Sequence, residues 1–115
     1  MKIRHFAALA TALMVLSGCA SMGLVQPKSL EDRIVYAAGI NAGLRNAAAN
    51  SLNAHLITSS DGEYVLNVSD QTRTLIDSSR VALSSGDPKT AEGRIVLALN
   101  ILDQLQAYLN SKVPK

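Results

Sequence analysis

The 115-residue chain offers few side chains that could do chemistry. Its single cysteine, Cys19, rules out an internal disulfide and a multi-cysteine zinc site. A thiol is the side chain most readily alkylated, and Cys19 closes the run Leu16-Ser17-Gly18-Cys19. Beyond Cys19 the one imidazole is His55. A serine or threonine nucleophile would need that base and a group to orient it. A metal would need more ligands than one histidine supplies. On a helical wheel His55 falls on an apolar face, close in angle to Ala37 and Ala48. A partly buried histidine making one hydrogen bond, or a pH-sensitive packing residue, accounts for it there. Carboxylates pair at Glu31-Asp32 and at Asp61/Glu63. The first pair suits a helix start and the second a loop and cap, rather than general acid–base work. No P-loop or dinucleotide-binding glycine pattern occurs. Without tryptophan the chain lacks the usual carbohydrate platform. These residues predict a protein that is not an enzyme and holds no metal or cofactor.

The first residues read as an address. Lys2 and Arg4 give a positive start, and Phe6 to Leu16, FAALATALMVL, carries no charge. About eleven such residues are too few to span a ~30 Å hydrocarbon core. A charged start, an apolar middle and a small-residue end form a secretory signal. Residues 1–18 are therefore predicted to be a cleaved signal peptide.

The four residues Leu16, Ser17, Gly18 and Cys19 resemble the lipobox of bacterial lipoprotein precursors, and all four positions match. The resemblance covers residues 1–19. It implies that Leu16, Ser17 and Gly18 are read by a signal peptidase that cuts before Cys19. It also implies a diacylglycerol on the Cys19 sulfur and an N-acyl chain on the new amine. Each buried methylene contributes roughly 0.8 kcal/mol of membrane affinity, so several chains hold far more firmly than one. Ala20 resembles the outer-membrane class of these lipoproteins, where an aspartate would mark the inner membrane. The expected location is the outer membrane, facing the periplasm.

Cleavage changes the charge balance. Losing Lys2 and Arg4 from 11 basic residues leaves nine against nine acidic ones. The remaining bases are dispersed, so no nucleic-acid face is expected. Residues 19–28 form the lipidated cysteine and a short tether, with Gly23 and Pro27 and no clear period. Fully extended, the tether reaches a few tens of ångströms.

Residues 29–112 read as three helices. Ser29-Leu30-Glu31-Asp32 has the form of a capping box, followed by Leu30, Ile34, Ala37, Leu44, Ala48 and Leu52 on one face to about residue 57. Thr58 to Gly62 reads as a breaker, with Ser60 and Glu63 capping a second helix over about 62–84. The β-branched residues of Tyr64 to Val68 leave a short strand open, but no partner strand is evident. Gly86, Asp87 and Pro88 suit a helix end, an N-cap and a first turn. The third helix, about 87–111, places Ala91, Ile95, Ala98, Leu102, Leu105 and Leu109 at steps of four and three. Residues 113–115 read as a tail. Similar lengths and short connections predict an all-α fold, an up-down-up three-helix bundle.

One stripe stands out on the polar side of the first helix. Gly39 and Gly43 lie four apart, beside Tyr36 and continued by Asn46 and Asn50. Each helical glycine costs about 1 kcal/mol relative to alanine. A partner surface is one reading of the stripe and a tolerant solvated face is the other. Asn41 falls on the apolar face, where it would fix register or mark a self-association seam. The expected function is a membrane-anchored, non-enzymatic interaction or structural module, with membrane lipid bound through Cys19 and an envelope protein as partner. Self-association is a further possibility. The stretch Ala91 to Lys112, AEGRIVLALNILDQLQAYLNSK, loosely resembles small lipoproteins of prophage-like genomes. It implies the alternative of a phage- or prophage-encoded envelope lipoprotein, acting in superinfection exclusion or lysis.

Overall fold

Ser29 caps the first helix. Its backbone is extended, and its side chain accepts the Asp32 N–H at 3.1 Å, satisfying a donor that the first turn leaves open. In the computed structural model, which describes residues 29–114, three helices follow: α1 Leu30–Asn53, α2 Ser59–Ser84 and α3 Pro88–Lys112. The expected signal peptide, Cys19 and the expected tether, residues 1–28, lie outside the described residues. The helices have 24, 26 and 25 residues, so each is about 36 to 39 Å long at 1.5 Å rise. All three pairs of helices pack together, giving the all-α up-down-up bundle.

The first connection departs from the sequence reading. Helix α1 stops at Asn53, short of residue 57, and α2 begins at Ser59, ahead of 62. Thr58, not Ser60, is the N-cap. Its hydroxyl accepts the Asp61 N–H at 3.1 Å, and the Asp61 carboxylate accepts the Thr58 N–H at 3.4 Å. The capping box is thus Thr58/Asp61 rather than Ser60/Glu63. Residues that look like a turn in the sequence are the first turn of a helix. Tyr64 to Val68 continue that helix.

Both connections use the same helix stop. At the end of α1, the His55 N–H reaches the Leu52 carbonyl and the Leu56 N–H the Ser51 carbonyl. At the end of α2, the Gly86 N–H reaches Leu83 and the Asp87 N–H reaches Ala82. These paired bonds are a Schellman motif, whose pivot takes a left-handed backbone. The pivots are Gly86 at φ 80° and His55 at φ 57°. Asp87 then caps α3 through the Thr90 N–H, with Pro88 in the first turn.

The buried residues run in alternating steps of three and four. In α1 they are Ile34, Ala37, Asn41, Leu44, Ala48 and Ser51; in α3, Ala91, Ile95, Ala98, Leu102, Leu105 and Leu109. This 3.5-residue period is that of helices wound as a left-handed coil. The α3 stripe is wholly aliphatic and buries more apolar side chains than the stripe of either other helix. Burying each Leu or Ile there contributes roughly 1.5 to 3 kcal/mol. In α2 the stripe is Gly62, Val65, Ser69, Thr72, Ile76, Ser79 and Ala82, much poorer in apolar area. Its hydroxyls are satisfied locally or across helices: Thr72 donates to the Val68 carbonyl and Ser79 to the Ala91 carbonyl. Among the described residues no buried side-chain polar atom lacks a partner.

Candidate interaction surface

Tyr36, Gly39, Gly43, Asn46 and Asn50 are spaced three, four, three and four apart, so they share one stripe of α1. Tyr36 is half-buried and the other four are exposed. The face they occupy is nearly free of charge: after Arg33 the only ionic side chain of α1 is Arg45, which turns to pair with Asp70 of α2. A Cβ built on Gly39 or Gly43 meets nothing within 4 Å. Neither glycine is therefore required by packing within residues 29–114. Both leave a smooth, open helix surface.

His55 is not where the helical wheel put it. Helix α1 has ended before it, and the residue sits exposed in the turn. The physical reason is the left-handed pivot, which rotates the chain off the helical path, so the angle to Ala37 and Ala48 no longer applies. Among the described residues no group of three or more His, Cys, Asp or Glu side chains could hold a metal. The carboxylates Glu31 and Asp32 are exposed at the start of α1. Asp61 and Glu63 do not act together, because Asp61 is occupied by a cluster that the sequence reading missed.

That cluster joins the start of α2 to the end of α3. The Tyr108 hydroxyl donates to Asp61 at 2.7 Å. The Tyr108 and Tyr64 rings lie 4.5 Å apart and tilted by 53°, and the Lys112 ammonium sits 5.4 Å over the Tyr108 ring. The same ammonium lies 4.0 Å from the Asp61 carboxylate. The Tyr108 and Thr58 hydroxyl hydrogen bonds hold the Asp61 carboxyl below its usual range. The same hydrogen bond, with burial and the Asp61 charge, pushes the Tyr108 phenol up. Asp61 is thus an ionised acceptor with its hydrogen-bonding capacity largely used, a clasp rather than a base. The sequence signal for its first half was Thr58-x-x-Asp61.

A second polar cluster bridges α1 and α2. Asn41 donates to the Ser69 carbonyl at 3.1 Å, and the Ser69 hydroxyl donates back to the Asn41 amide oxygen at 2.7 Å. Arg45 donates to the Ser69 hydroxyl at 3.4 Å on its way to Asp70. At the other end of the bundle, Arg33 of α1 lies 3.8 Å from Glu92 of α3. No helix among the described residues is long and apolar enough to cross a membrane. Comparison with protein-family models, with curated proteins and with solved structures finds no match to the chain.

Proposed function

We propose that the chain is a lipid-anchored envelope protein whose helical bundle is a non-enzymatic interaction module. The observation that carries this reading is Leu16-Ser17-Gly18-Cys19 placed directly after a charged start and an uncharged apolar run. In this reading the peptide before Cys19 is removed, and the Cys19 sulfur and amine carry acyl chains. The bundle hangs on residues 20–28 at the periplasmic side of the outer membrane. Anchoring confines the bundle to a surface and raises its effective concentration toward anything else held there. The bundle supports the reading by its division of labour: its first cap is Ser29, so the tether ends where the packed helices begin.

The partner in this proposal is another envelope protein, and the surface offered to it is Tyr36, Gly39, Gly43, Asn46 and Asn50. A face with small residues and no charge lets a second backbone approach closely at little desolvation cost. The test is mass spectrometry of the protein purified from its native membrane, with fractionation of Cys19→Ser alongside. The expected result is a chain beginning at an acylated Cys19, with the serine variant released from the outer-membrane fraction. A chain retaining residues 1–18 with a free thiol would overturn the proposal.

A further inference from the structure

Five polar residues are buried in the bundle, and all belong to α1 or α2: Asn41, Ser51, Ser69, Thr72 and Ser79. Only Asn41 carries an amide, and only its side chain exchanges hydrogen bonds reciprocally with a single residue of another helix. Its amide nitrogen needs an acceptor and its amide oxygen a donor. Ser69 supplies both, through its carbonyl and its hydroxyl. Asn41 is 4% exposed and Ser69 is fully buried, so water cannot substitute for either partner. Arg45 closes the outside of the pair by donating to the Ser69 hydroxyl while ion-paired with Asp70.

We propose that the Asn41–Ser69 pair is a register lock: it selects one alignment of α1 against α2 from several that the apolar residues would accept. Around that pair the seam discriminates poorly. Around Asn41 the buried residues of α1 are Ile34, Ala37, Leu44 and Ala48, and around Ser69 those of α2 are Val65, Thr72 and Ile76. Small and aliphatic residues repeated every 3.5 positions pack acceptably after a slip of one heptad. Between antiparallel helices, such a slip sets Asn41 opposite Gly62 or Ile76 instead of Ser69. Either residue still offers a backbone carbonyl to the amide nitrogen, but neither has a hydroxyl to donate to the amide oxygen. The slipped state would bury the amide oxygen without its donor, which is costly, while the aligned state satisfies it. Shape sets the alignment at the connection, where Leu52 packs on Gly62, but the middle of the α2 stripe is too poor in apolar side chains to do so, and that is where the lock sits.

The test compares the full-length protein with Asn41→Leu/Ser69→Ala, which replaces the polar pair by apolar groups. Helix content and thermal midpoint by circular dichroism are read together with the amide resonances of α1 and α2 by NMR. The expected result is a midpoint equal to or above the parent's, with resonances that are doubled or broadened by exchange between alignments. A single sharp set of resonances would overturn the proposal. Should leucine not be accommodated at 41, Asn41→Ala/Ser69→Ala removes atoms only and is read the same way. Loss of a unique spectrum with retained helicity supports the lock, and a unique spectrum refutes it.

Discussion

His55 occupies in one helix stop the place that Gly86 occupies in the other. Both follow a helix by two residues, both carry the bond back into the last turn, and both have positive φ. Glycine takes this conformation freely, whereas a residue with a Cβ is strained in it by about 1 kcal/mol. His55→Gly should therefore stabilise the bundle by roughly 0.5 to 1 kcal/mol, and Gly86→Ala should destabilise it by a similar amount. Denaturant unfolding at neutral pH measures both. A His55→Gly protein no more stable than the parent would mean that the imidazole makes a compensating contact.

The same turn shows why parts of the fold were legible and parts were not. Helix α3 was readable residue by residue because all six of its buried positions are Ala, Ile or Leu. Helix α2 hides part of its core, since Ser69 and Ser79 are buried although serine usually faces water. The start of α2 misleads because threonine, serine, aspartate and glycine are turn formers and also helix starters. The end of α1 gives no warning, because its pivot is a histidine. Asn41 could be placed on the inner face by angle alone, but its partner lies 28 residues away. The Tyr108–Asp61 contact spans 47 residues and follows from the packing of α2 on α3, which no local pattern encodes.

Gly62 is the glycine that packing requires. A Cβ there would lie 2.4 to 2.8 Å from the Leu52 side chain, where the end of α1 crosses the start of α2. Leu52 would have to leave its place beside the core, and overpacking of this kind costs about 1 to 3 kcal/mol. Gly62→Ala is expected to destabilise by that amount in spite of alanine's better helix propensity. A neutral or stabilising effect in chemical unfolding would show that Leu52 moves aside freely.

The stability of the bundle should depend on pH at both extremes. The carboxyl of Asp61 is lowered first by the Tyr108 hydroxyl and then by the Thr58 hydroxyl, and that of Asp87 first by the Thr90 hydroxyl and then by the Thr90 N–H. A lowered carboxyl stabilises the fold above its unfolded value of about 3.9, and the contribution fades as pH falls through that value and below. Tyr108 runs the other way. Its phenol is raised above 10.0, chiefly by the bond to Asp61, so its contribution is complete below that pH and is lost as pH rises through the folded value. Thermal midpoints should form a plateau between about pH 5 and 9 and fall on either side. Tyr108→Phe should lower the plateau by a few degrees and weaken the alkaline decline. An alkaline decline identical to the parent's would assign that edge to other groups.

Gly39 and Gly43 separate stability from binding. Neither has a neighbour within 4 Å of a built Cβ, so alanine at each should gain the helix propensity that glycine forgoes, about 0.5 to 1 kcal/mol. The double variant should unfold at a higher denaturant concentration with an unchanged slope. If the stripe from Tyr36 to Asn50 is where a partner's backbone comes close, the added methyl groups should weaken capture of that partner from crosslinked envelopes while the bundle itself becomes more stable. Gly93 of α3 serves as the control: its Cβ would also meet nothing within 4 Å, but it lies outside the stripe. Gly93→Ala should stabilise by a similar amount and leave crosslinking unchanged. Equal crosslinking by the parent, the Gly39/Gly43 double variant and Gly93→Ala would remove this face of α1 from the proposed contact.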